Sequence, residues 1–155
     1  KMKDLVIYAL KKVSFLSRYS KICSEYSNFE QSKTPLLKSM NEILGQIDNN
    51  FKYIKIERLF LKEMVINHEI TMRIIFSYGG GIFEFRIIVI KNDEWIINDR
   101  LDFLGDLIDP DYKESLGDKC LPKTTNDEDT KQILKKVIAL INEFKDEFQM
   151  ELSRG

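Results

Sequence analysis

Between Ile70 and Val89 the apolar pattern changes parity across a glycine triplet, and this limits what the chain can fold into. Before the triplet, Ile70, Met72, Ile74, Phe76 and Tyr78 alternate with Thr71, Arg73, Ile75 and Ser77. After Gly79-Gly80-Gly81, the odd positions Phe83, Phe85, Ile87 and Val89 carry the apolar face. A period of two marks half-buried strands, because successive side chains point to opposite faces. For both apolar sets to share one face, the intervening loop must hold an even number of residues. A two-residue Gly80-Gly81 turn meets this condition, glycine being free to take the positive φ that such turns need. It predicts the facing pairs Tyr78–Phe83, Phe76–Phe85, Ile74–Ile87 and Met72–Val89. Trp95 and Ile97 continue the odd parity, which asks for an odd loop such as Lys91-Asn92-Asp93. Residues 51–66 supply another strand or two, but both faces are mixed there and no register follows. The expectation is an antiparallel meander of about four strands.

Ile75, Ile82, Ile88, Ile90 and Ile96 fall on the second sheet face. Either helices cover both faces or one face meets a partner. Coverage by the chain's own helices is the commoner outcome and is expected here. Those helices flank the sheet. A first helix is predicted over about residues 3–24, where Leu5, Ala9, Val13 and Leu16 form a stripe. A second is predicted to start at Thr34-Pro35, a capping residue and a first-turn proline. Its apolar set is Leu36, Leu37, Met40, Ile43, Leu44 and Ile47. Residues 99–125 read as irregular, with short helical pieces at Leu101–Ile108 and after Asp109-Pro110. A long C-terminal helix is predicted from about Asn126 to Leu152. Thr125 and Glu128 there resemble a capping box, and the core stripe is Ile133, Val137, Leu140, Ile141, Phe144 and Phe148.

No repeat, low-complexity tract or Pro/Gly-rich linker divides the chain, so residues 1–155 read as a single α+β domain. With 155 residues the chain can bury a core without staples. Two cysteines, Cys23 and Cys120, are too few for a disulfide framework and fit a reduced, cytoplasmic setting. The apolar run Leu5–Leu10 is far too short for a membrane span.

The residues for common chemistries are missing. His68 is the only histidine, next to Asn67 at a hairpin tip, where it reads as a turn residue. Neither Cys23, read as core, nor Cys120, read as loop, has a motif around it. No zinc ligand set occurs at short spacing, and no calcium loop is found among the aspartates of 99–118. The glycine triplet lacks the GxxxxGK[ST] pattern and joins two strands, so it reads as a turn and not a phosphate cradle. No catalytic residue, cofactor or metal is therefore expected.

Charge is more informative. The net charge is only −1. Residues 1–62 nevertheless carry 12 basic and 6 acidic groups. Residues 93–118 carry nine acids against Arg100 and Lys113. This acidic stretch is solvated, or neutralises the chain's own basic helix, or is a docking surface for a basic protein. The candidate contact residues are Asp99, Asp102, Phe103, Asp106, Asp109, Asp111, Tyr112 and Glu114, with Phe103 or Tyr112 as an apolar anchor. Lys11, Lys12, Arg18 and Lys21 with Tyr8 and Tyr19 could form a basic, aromatic patch. No nucleic-acid-binding signature accompanies them, and no direct nucleic-acid contact is expected.

The meander ITMRIIFSYGGGIFEFRIIVIKNDEWII, the acidic DRLDFLGDLIDPDYKESLGD and the closing helix together resemble immunity proteins of bacterial toxin–immunity pairs, those of contact-dependent growth inhibition above all. The resemblance lies in whole-chain character and transfers no individual residue. It implies a non-catalytic cytoplasmic protein, monomeric by preference. Such a protein binds a cognate basic toxin domain, often a nuclease such as a tRNase, and blocks its active site or substrate docking. An alternative is a secretion chaperone, which an apolar second sheet face would favour.

Overall fold

The computed structural model describes residues 1–155. Three helices come first: α1 (Met2–Lys12), α2 (Phe15–Glu25) and α3 (Leu37–Ile47). Five strands follow: β1 (Lys52–Ile54), β2 (Leu59–Val65), β3 (Ile70–Ser77), β4 (Glu84–Lys91) and β5 (Glu94–Arg100). The short helices α4 (Leu101–Leu104) and α5 (Tyr112–Leu116) lead to the long α6 (Asp127–Arg154). The fold is α+β, and its single sheet is a meander in the order β1-β2-β3-β4-β5, antiparallel throughout. The sheet has five strands where about four were expected, because β1 adds a three-residue edge. The register of the 51–66 segment is fixed by Phe60 facing Phe76 and Met64 facing Met72.

In the central hairpin Phe76–Phe85, Ile74–Ile87 and Met72–Val89 pair as the parity argument requires. The loop is longer than the two residues expected: the ladder stops at Ser77–Glu84, leaving the six residues 78–83 between the strands. Six is still even, so both apolar sets keep to one face. The ladder stops early because the polypeptide beyond it pairs elsewhere. Phe83 N donates to Pro122 O (2.9 Å), Thr124 N donates to Gly81 O (2.8 Å), and Ile82 bridges Lys123. Gly81 is required at this crossing: its φ is +77°, and a Cβ there would lie 2.6 Å from the backbone nitrogen of Lys33.

The next turn corrects the expected odd loop. Asn92 and Asp93, both at positive φ, form a two-residue turn between Lys91 and Glu94. A β-bulge between Val89 and Ile90 then absorbs the extra residue, so that Ile90 faces Trp95 but Val89 faces Ile97. Ile97 is buried as expected; Trp95 is turned to the other face and is 55% exposed.

The predicted first helix is two helices. Ser14 adopts the left-handed conformation (φ 56°) and breaks it. A continuous helix with Val6, Leu10 and Val13 inward would have pointed Ser17, Ser20 and Ser24 the same way. The break turns Phe15, Tyr19, Ile22 and Cys23 inward instead. The second helix starts at Leu37 rather than at Thr34-Pro35, leaving Leu36 exposed. α6 is capped by Asn126, whose side chain accepts from Asp129 N (2.8 Å). Thr125 instead donates to Asp129 Oδ2 through its backbone nitrogen (3.0 Å) and its hydroxyl (2.6 Å), so the capping interaction sits one residue later than expected.

One core cluster joins α1, α2, α3 and α6 to the inner sheet face, with Phe60, Phe76, Phe85, Phe144 and Phe148 fully buried. Each such ring contributes roughly 1.5–3 kcal/mol of burial. No helix lies over the other sheet face. Ile88 and Ile90 are buried yet stand outside the core cluster, among the residues of their own sheet. Coverage of both faces, the expected arrangement, is therefore not what the chain does.

Candidate functional site

The acidic segment begins where β5 ends. Arg100 makes a two-point contact with Asp102, Nε to Oδ1 at 3.0 Å and Nη2 to Oδ2 at 2.6 Å. Its Nη1 reaches Glu84 Oε1 at 3.0 Å on the uncovered sheet face. Asp102 is wholly buried and Arg100 mostly so. The hydrogen bonds to Asp102 raise the guanidinium pKa above its ordinary value against the opposing effect of burial. Asp102 is thus a structural partner that joins β5 to α4, and no docking surface can include it.

Phe103, next in sequence, points outward and is 45% exposed. Two cations stand over its ring, Arg100 at 5.1 Å and Lys113 at 4.9 Å from the centroid. Tyr112, the other proposed anchor, is buried. Its hydroxyl donates to Leu16 O (2.8 Å) and lies 2.8 Å from Ser20 Oγ, fastening the segment to α2. Burial pushes the Tyr112 phenol up to about 12, against the lowering by its hydrogen bond with Ser20. Gly105 makes room for this ring, since a Cβ there would stand 2.1 Å from Tyr112 Cδ2. A phenol turned inward cannot anchor a partner, and Phe103 alone keeps that role.

Two of the remaining acids are placed by short-range bonds from the backbone. Asp106 is half-buried, and its Oδ1 accepts from Lys113 N (2.9 Å). Asp109 Oδ1 accepts from Asp111 N (3.1 Å), and its carbonyl accepts from Tyr112 N (2.9 Å). Asp109, Asp111, Glu114 and Asp118 are exposed. Asp99 is half-buried in β5, its backbone facing Ile87. The sequence-predicted set therefore divides. Asp102 and Tyr112 build the scaffold, whereas Phe103, Asp106, Asp109, Asp111 and Glu114 form an acidic shelf that the scaffold holds in place.

Sequence reasoning raised an open second face as the less common outcome, but did not place Val65 or Trp95 on it. On the uncovered face, Val65, Thr71, Ile90 and Trp95 form one cross-strand row, with Val65 71% and Trp95 55% exposed. Leu61, Ile75, Arg86 and Arg100 form another. Arg86 donates to the Asn98 side chain (2.8 Å), and Arg73 Nε to Glu63 Oε2 (2.7 Å). Arg100 belongs both to this face and to the shelf, so the two are continuous. The bulge that exposes Trp95 leaves no trace in the apolar alternation.

The basic, aromatic patch of the first helix does not assemble as drawn. Tyr19 is buried, its hydroxyl donating to Cys120 O (2.7 Å), and Arg18 is paired to Glu143 (2.7 Å). His68 is exposed at the tip of the β2–β3 hairpin, where Asn67 Oδ1 accepts from Glu69 N and Ile70 N. Cys23 is buried, and burial pushes its thiol up to about 12. No three His, Cys, Asp or Glu side chains converge in a metal-binding group, and no helix is long and apolar enough to cross a membrane. No protein-family model matches the chain, and no curated protein or solved structure matches it significantly.

Proposed function

We propose that this protein is a non-catalytic immunity protein of a bacterial contact-dependent growth inhibition system. It acts in the cytoplasm as a monomer and neutralises a cognate basic toxin domain, a nuclease such as a tRNase. The supporting observation is the continuity of two surfaces through Arg100: a fixed acidic shelf with Phe103 at its edge, and a sheet face that no helix covers. The Asp106 and Asp109 carboxylates, held by backbone bonds, lose little freedom on docking, so their charge orients a basic partner at low entropic cost while exposed Asp111 and Glu114 add to the steering field. The apolar row with Trp95 supplies contact area beside them. A nuclease cleft must attract phosphate, and an acidic shelf fits such a cleft while denying it to the substrate.

A secretion chaperone is the second reading, favoured by that same exposed row on the open face. Co-expression with the product of the adjacent reading frame separates the two. Immunity requires capture of a folded domain whose nuclease activity is lost in the complex and returns when Asp109, Asp111 and Glu114 are all changed to Lys. A captured client that is unfolded and protease-sensitive would establish the chaperone instead. Retained neutralisation by the triple variant would remove the shelf from the interface.

A further inference from the structure

Three distant segments cross beside the start of β4. Lys33 N donates to Thr124 O (3.1 Å), Lys123 N to Tyr26 O (2.7 Å), and Phe83 N to Pro122 O (2.9 Å). Next to this crossing opens a cavity of about 530 Å³. That volume lies within the range of about 300–1,000 Å³ typical of small-molecule sites. Phe29, Ile82 and Leu121 line it with hydrocarbon, and Asp118, Lys119 and Lys123 bring charge. Phe29 is 65% exposed, an aromatic ring held in solvent at the cavity's edge.

Lys123 is the unusual member. It is 94% buried, being only 6% exposed, and its Nζ donates to Asp118 O (2.9 Å) and Leu121 O (2.9 Å). An ammonium has three donors, so two neutral carbonyls leave one N–H and the whole positive charge without an anionic partner. None of the molecule's ion pairs includes Lys123. The nearby Lys119 and Asp118 side chains are both exposed. A charge withdrawn from water without a counter-charge is costly. A loop tie between two carbonyls could have been made by a neutral donor. A cation at this point is explained by an anion that enters the cavity.

We propose that this cavity binds an apolar carboxylate, its carboxylate taken by Lys123 and Lys119 and its hydrocarbon body by Phe29, Ile82 and Leu121. The shared chemistry covers a free aryl or alkyl acid and the C-terminus of a peptide ending in an apolar residue. The inference rests on the cavity alone and is independent of the toxin-binding reading.

The test is a titration of the ¹⁵N-labelled full chain with 3-phenylpropionate, with its neutral amide, and with N-acetyl-Gly-Gly-Phe bearing a free or an amidated terminus. The expected result is saturable shifts at the amides of Phe29, Ile82 and Leu121. The acids should bind roughly ten-fold or more tightly than the amides, as a charge-assisted hydrogen bond gives. Saturation by the free acid alone assigns a small molecule; saturation by the free-terminus peptide as well assigns a chain end. Lys123→Met should abolish the preference for the acids. Should that variant misfold, Lys119→Gln and Phe29→Ala, both at exposed side chains, must each weaken binding. Equal binding of acid and amide, or no saturable shift at these residues, overturns the proposal.

Discussion

On the inner face of the sheet, Phe60, Phe76 and Phe85 form an aromatic row, the first pair stacked and the second tilted, closed over by α6 and its companions. On the outer face, Ile75, Ile88 and Ile90 stand in rows with Arg73, Arg86, Thr71 and Trp95, and no helix covers them. Both faces are rich in isoleucine, so hydrophobic content alone does not separate them. The difference lies in what stands against each face: the inner residues join one cluster with α1, α2, α3 and α6, whereas the outer isoleucines have only neighbours of their own sheet. Arg73 bonds Glu63 and Arg86 bonds Asn98 across neighbouring strands of that face, with Arg73 and Glu63 both partly in water. The inner face takes its second layer even with Lys62 and Asp99 in the Ile74–Ile87 row, Lys62 being paired there with Asp48, whereas the outer face remains open to a partner.

Replacing a core aromatic gives the largest expected effect. Phe76→Ala should cost about 3–5 kcal/mol in denaturant unfolding. Ile75→Ala, its neighbour on the outer face, should cost clearly less. Equal losses would mean that both faces are covered and the contrast is false. Next in size is Asp102→Asn, which keeps the shape but removes the charged partner of Arg100. It should cost about 1.5–3 kcal/mol. Asp109→Asn, on the exposed shelf, should stay within about 0.5 kcal/mol. This pair of variants sharpens the division between scaffold and shelf, and a silent Asp102→Asn would erase it.

A pH-dependent effect tests how α3 is fastened to the inner layer. Burial pushes the Asp48 carboxyl up, but the Lys62 ammonium at 2.5 Å and the Asn50 N–H more than offset this and hold it below its ordinary value. A carboxyl depressed in the folded state stabilises the protein above its unfolded pKa, about 3.9. That contribution is lost as pH falls through the lower folded pKa. Asp48→Asn should therefore destabilise at neutral pH, and the gap to the parent should shrink under acid. A gap that is constant from neutral to strongly acid pH would show that the ion pair contributes nothing. The smallest effect on stability is expected from Trp95→Ser on the open face, within about 0.5 kcal/mol, as for other surface changes. Its effect should appear in partner binding, and a large stability loss would place Trp95 under cover.

The acidic segment shows how far a charge map reaches. Nine acids in one stretch were plain in the sequence, but their division into roles was not. Asp102 and Asp109 are the same residue type a few positions apart. Only the folded chain sets Asp102 against Arg100 and leaves Asp109 at a turn in water. Phe103 and Tyr112, equal candidates in the sequence, part for the same reason, because Gly105 leaves a space that the Tyr112 ring fills.

Local patterning, by itself, determined the α+β class, the central hairpin and its pairing, the long C-terminal helix and the exposed His68 turn. These rest on period, parity and capping, which act between residues close along the chain. The tertiary structure decided the rest: the break at Ser14, the six-residue loop that yields its pairing to Pro122–Thr124, the bulge that exposes Trp95, and the cavity around Lys123. At the loop and the cavity the deciding contacts join residues far apart in the chain; at Ser14 and the bulge it is the burial of one side-chain set over another that the local pattern does not reveal. In all of them tertiary packing outweighs a local preference that the sequence pattern states correctly but without knowledge of its competitor.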